Sequence, residues 1–255
     1  MAEYETLALT ALIYETVVFI TYNYLLSMVR RRKKEKPTKL TNILFKLFLG
    51  YDVAILFAII QKIFNVIWGG VPYTLIPTEA LYFVGILQSG RIGLVGALVG
   101  TIYAYELYLR IFKKEIPEKK RKVIIGIGIA ICIFLLTAYQ FNTETGQEIF
   151  MYQIIGFGCM FLYMIIVYVP FTKEAFYLAG RISDDKQVYK KGIKSLGNMA
   201  LSFVLIFFCF LLDQLVLMLF EWKYSVFYFS AWLFALYGTY ASYSGYIKPS
   251  INPKQ

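Results

Sequence analysis

Seven apolar stretches, separated by short connections that are polar and mostly basic or mostly acidic, account for nearly the whole chain. They run approximately over 7–29, 43–68, 80–112, 123–141, 149–171, 199–220 and 226–247. A helix needs about 20 such residues to cross a hydrocarbon core of roughly 30 Å. The pattern predicts one all-α integral membrane domain, a seven-transmembrane helix bundle over residues 1–255, with no tandem repeat, low-complexity tract or soluble domain attached.

The third stretch is too long for one span. Ala80 to Phe112 would extend roughly 50 Å as a continuous helix. Either it overhangs the membrane or it breaks near Gly90, in the sequence Gln88-Ser89-Gly90-Arg91. Pro170 predicts a second irregularity, a kink or an end to the fifth helix.

Charge gives the pattern a direction. The connections after the first, third and fifth stretches, with the carboxyl-terminal tail, hold 21 of the 26 Lys and Arg residues, including Arg30-Arg31-Arg32-Lys33-Lys34 and the connection Lys173 to Lys194. The opposite connections carry Lys223 alone among cations, together with Glu79, Glu144, Glu148 and Glu221. Positive residues stay in the cytoplasm, so the amino terminus is expected outside and the carboxyl terminus inside. A cytoplasmic protein or an anionic lipid would meet the basic connections, and the plasma membrane is the expected location. The opening residues MAEYETLALT lack the basic region of a signal peptide, so the first helix is expected to be retained.

Composition agrees and removes several chemistries. The chain is 59% hydrophobic and 18% aromatic, with a mean hydropathy of +0.60, against roughly 45–50% apolar residues in soluble domains. The net charge of +10 sits in short blocks between spans, so nucleic-acid binding is not expected. There is no histidine, which excludes His-ligated metals, bis-His haem and His-dependent triads. Cys132, Cys159 and Cys209 lie inside apolar stretches, where thiols serve as packing residues. No catalytic residue, metal site or cofactor is therefore expected, and the protein is read as non-enzymatic.

The informative residues are charges inside the spans, each costing at least about 2.5–3.5 kcal/mol at a helix centre unless paired or hydrated. Lys62, Arg91 and Asp213 are expected in the outer third of the membrane. With neighbouring Gln214 they are candidates for an outward-facing ligand site, or for a structural ion pair holding three helices together. Glu15 and Asp52 are expected near mid-membrane, where two carboxylates could share a proton or bind a cation; hydrogen bonds to nearby tyrosines would equally account for them. Lys46 and Glu106, near the inner face, are expected to form an interfacial pair, or Lys46 to snorkel to the membrane surface. Gly96-x-x-x-Gly100 permits close helix approach, more readily inside the chain than between copies. Tyr237, Tyr240, Tyr243 and Tyr246 form a stripe suited either to lining a cavity or to anchoring at the interface.

In span number and orientation alone, the pattern resembles microbial rhodopsins, G-protein-coupled receptors and the seven-helix sensor regions that precede some kinases. Rhodopsins attach retinal through a lysine in helix seven, and Val226 to Ile247 contains none. The receptors' Asp-Arg-Tyr motif has no counterpart in Tyr105-Glu106-Leu107-Tyr108-Leu109-Arg110. No functional residue is carried over. A sensory or receptor-like protein of unknown ligand is the expectation, with a small proton- or ion-coupled transporter using Glu15 and Asp52 as the alternative.

Overall fold

Each of the seven apolar stretches contributes a helix. The computed structural model describes residues 2–68, 86, 90–112, 117–138, 150–183, 186–220, 222 and 224–247; within these, side chains at 2–5, 64–68, 150–153 and 246–247 are not described. The helices are α1 (Ala2–Glu35), α2 (Lys39–Trp68), α3 (Arg91–Ile111), α4 (Glu118–Thr137), α5 (Phe150–Arg181), α6 (Gln187–Phe220) and α7 (Val226–Ser242). A π-helical turn, Tyr243–Ile247, follows α7. There is no strand among the described residues. The expected aromatic exit at 69–70, the loop 71–79, most of 80–89 and the loop 142–148 lie outside them.

Several helices outrun their apolar stretches, because hydropathy marks only the part that lipid would cover while backbone hydrogen bonding continues into charged turns. Arg31 and Glu35 support the end of α1, and Glu118 and Lys122 the start of α4, as i, i+4 pairs. The connection expected over Lys173 to Lys194 is mostly helix: α5 runs through Pro170 to Arg181, and α6 begins at Gln187. Proline removes one backbone bond, a loss that neighbouring helices in a bundle can absorb. The basic "loop" is thus a pair of basic helix ends.

The third stretch breaks where its glycine stands. Gly90 adopts a left-handed conformation, φ 68°, immediately before α3, a backbone state glycine enters without steric penalty.

Consecutive helices pack side by side, and α7 returns to α1, closing a ring; α3 also reaches α5. The closest approach is α2 against α3. A methyl group placed on Gly50 would lie 2.6 Å from the Gly100 nitrogen, and one on Gly96 2.8 Å from the Gly50 carbonyl oxygen. The Gly96-x-x-x-Gly100 pair therefore serves packing within the chain, as small residues do where lipid supplies no hydrophobic drive for helix association. At the centre, Thr101 Oγ1 donates to the Ala97 carbonyl at 2.9 Å and lies 3.0 Å from the Tyr51 hydroxyl, itself 2.7 Å from that of Tyr168. Each hydroxyl has one hydrogen. The order of donation is thus Tyr168 to Tyr51 to Thr101 to Ala97, linking α5, α2 and α3.

The outside of the ring is apolar, with Ile20, Tyr24, Leu162, Leu219 and Val226 among its exposed side chains. Among the described residues, five helices are long and apolar enough to cross a bilayer: Thr6–Glu35, Lys39–Ile63, Arg91–Ile111, Ile154–Arg181 and Gln187–Phe220. This is the architecture of an integral membrane protein in contact with lipid. Of the other two helices, α4 opens with the five charged residues Glu118 to Lys122, and α7 has 17 residues before its π turn.

Candidate functional site

Four helices bring buried polar groups together at the end of the bundle where α6 turns into α7. Glu15 of α1 is 1% exposed, and Lys62 of α2, Asp213 of α6 and Tyr228 of α7 are also buried. The Tyr228 hydroxyl donates to Glu15 Oε1. Lys62 Nζ lies over two aromatic faces, 4.2 Å from the centroid of Tyr224 and 4.7 Å from that of Tyr228. Its charge acts on both Glu15 and Asp213. One ammonium group thus lies over two ring faces within the electrostatic reach of two carboxylates, all of them attractive to a cation.

The hairpin geometry explains how Asp213 reaches this cluster. Its Oδ1 accepts from the Ser225 backbone N–H at 2.9 Å and the Ser225 hydroxyl at 2.7 Å. Ser225 is also the N-cap of α7, accepting from the Phe227 N–H at 3.3 Å. The chain therefore folds back beside α6, leaving Leu219 and Phe220 exposed beyond the contact. Tyr224 bears the bend with φ 59°, a left-handed state that a side chain adopts only under constraint. That bend places its ring over Lys62.

Glu15 Oε2 is buried with no hydrogen-bond partner among the described residues, a condition that costs free energy. A proton on that oxygen, or a cationic group from outside the chain, would relieve it. Among the described residues, no three His, Cys, Asp or Glu side chains converge as a metal site would require.

The other candidate residues are distributed differently from the sequence expectation. Arg91, 2% exposed, donates from Nη1 to the Leu135 carbonyl at 2.8 Å and forms no ion pair with Asp213. A cation at the last turn of α4 complements the carbonyl end of that helix. Glu106 is taken by Arg121, whose Nε and Nη2 each reach a carboxylate oxygen at 2.7 Å. The expected Lys46–Glu106 pair is replaced because the two-pronged guanidinium matches a carboxylate better than a single ammonium does. Lys46 instead lies 5.1 Å from the Tyr103 ring centroid. Gln214 is half-buried on α6.

Glu15 and Asp52 have separate surroundings. Asp52 acts on Tyr22, which is seven residues along α1 from Glu15, about 10 Å. Asp52 Oδ1 and the Tyr22 hydroxyl are both buried with no hydrogen-bond partner among the described residues. The tyrosine stripe is divided: Tyr237 is 49% and Tyr240 64% exposed, Tyr243 is half-buried against the core, and Tyr246 lies outside the described side chains. The buried face of α7 is instead Tyr228, Ala231, Trp232 and Ala235.

Sequence reasoning overlooked Tyr228, Tyr224, Ser225 and Arg121. The five-residue turn between two apolar stretches was a usable signal for Ser225 as an N-cap; nothing in the pattern distinguished Tyr228 from the other 21 tyrosines. Comparison with known proteins adds no relative: no protein-family profile matches the chain, and no curated protein matches it in sequence.

Proposed function

We propose that the chain is a seven-span, non-enzymatic membrane protein of sensory or receptor-like type, whose ligand site is the Glu15–Lys62–Asp213 cluster. The observation that carries this reading is the convergence of three buried charges from three helices, with Glu15 Oε2 lacking a hydrogen-bond partner among the described residues. Each intramembrane charge is expensive, and such residues mark functional sites by default. Two carboxylates against one ammonium favour a ligand bringing a cationic group, and the tyrosine faces share that preference. The positive-inside pattern orients this end of the bundle outward and the basic helix ends toward the cytoplasm, with the plasma membrane as the setting. On this reading α4 and α7 also span, the charges Glu118 to Lys122 lying at the cytoplasmic edge.

A second reading, a small proton- or ion-coupled transporter, draws on one observation: Glu15 Oε2 and Asp52 Oδ1 are both buried with no hydrogen-bond partner among the described residues. Their separate surroundings weigh against a shared relay.

Thermal unfolding of the purified full chain in the presence of alkylammonium ions tests the receptor reading. Stabilisation of the wild type that disappears in Glu15→Gln is expected. Equal stabilisation of both proteins, or none of the wild type by any cation tried, would overturn it.

A further inference from the structure

At the opposite, basic end, a cavity of about 670 Å³ opens between the starts of α2 and α6, the end of α3 and the π turn after α7. That is an ordinary size for a small-molecule site. Its depth and its mouth differ in chemistry. Leu44, Leu107, Ile193 and Leu196 form the buried interior, whereas Arg110 and Lys186 stand exposed at the opening. Among the described residues, neither cation forms an ion pair and no Asp or Glu lines the cavity.

The lining selects the occupant. From Lys186 to Leu196 is ten residues of α6, about 15 Å, a length of lining that a hydrocarbon chain can follow from the charged opening to the apolar interior. A cationic mouth above an apolar shaft calls for an anionic head on that chain, and the positive end of α6 at the opening has the same preference.

We infer that this cavity holds one acyl chain of an anionic membrane phospholipid, with the phosphate at Arg110 and Lys186. Guanidinium and ammonium groups both bind phosphate oxygens through charge-assisted hydrogen bonds. The inference is independent of the ligand proposed at the other end, and its failure would leave that reading standing.

Native mass spectrometry of the full chain tests it, using equimolar phosphatidylglycerol and phosphatidylcholine of identical acyl chains. Wild type is expected to retain one phosphatidylglycerol selectively. The double variant Arg110→Gln/Lys186→Gln is expected to lose about 30-fold in that retention, the effect of two interfacial charges. Val188→Trp, at the exposed mouth, is expected to reduce retention with the charges intact. Equal retention of both lipids by wild type, or undiminished selectivity in the double variant, would overturn the proposal. So would dodecyl phosphate binding from solution where phosphatidylglycerol is not retained, which would assign the cavity to a soluble amphiphile.

Discussion

The hydroxyl of Tyr228 on the last helix donates to the carboxylate of Glu15 on the first, closing the ring of helices with a buried hydrogen bond between residues 213 positions apart. Around this bond the rest of the cluster is arranged: Lys62 over the Tyr228 ring, and Asp213 holding the turn that presents Tyr224. A double-mutant cycle measures the coupling. Tyr228→Phe, Glu15→Gln and the double variant, compared by unfolding in one detergent, are expected to show coupling of about 0.6–1.7 kcal/mol, the range found for such bonds between membrane helices. Additive effects would remove the bond from the account.

Lys62 balances two buried acids, so its replacement is expected to cost more than the contacts it makes. Lys62→Met should destabilise by about 3–5 kcal/mol, the effect of stranding a buried charge. Adding Glu15→Gln should recover a large part of that loss. Unfolding midpoints of the single and double variants check both statements; no recovery would mean that Lys62 acts through packing alone.

Glycine substitutions separate contact from helix propensity. Gly96→Ala would press a methyl group within 2.8 Å of the Gly50 carbonyl oxygen and is expected to destabilise by about 1–3 kcal/mol. Gly126, also helical, has nothing within 4 Å of the same added atom. Gly126→Ala is therefore expected to be neutral or stabilising by up to about 1 kcal/mol.

Arg91 is assigned to holding α3 against α4. Arg91→Ala should lower stability by about 1.5–3 kcal/mol, as for other hydrogen bonds to charged groups, while leaving alkylammonium binding at the Glu15 cluster unchanged. A loss of binding with unaltered unfolding would return Arg91 to the ligand site.

How much of this was legible in the sequence depended on whether one helix or two decided the matter. The helices among the described residues, the left-handed Gly90 and the inward use of Gly96 and Gly100 each follow from the local apolar pattern or from a residue's own backbone or volume, so the linear pattern carried them. Partner choice did not follow. Lys46 and Glu106 had the right depth to pair, but depth fixes only the axial coordinate; rotation of α3 turned Glu106 toward α4 and Arg121. Arg91 and Asp213 likewise shared a level on paper, yet Arg91 meets Leu135. Glu15 was recognisable as costly, and its relation to Lys62 was not, because the ring closure joining α7 to α1 is invisible to periodicity.

A Glu15–Lys62–Asp213 cluster that binds a ligand, as proposed, conducts nothing. Proton and sodium flux into proteoliposomes of the full chain distinguishes the two readings, with wild type, Glu15→Gln and Asp52→Asn compared under an imposed gradient. Rates equal to those of empty liposomes are expected for all three. Coupled uptake by wild type that is abolished by Glu15→Gln and by Asp52→Asn would contradict the proposal and establish a transporter.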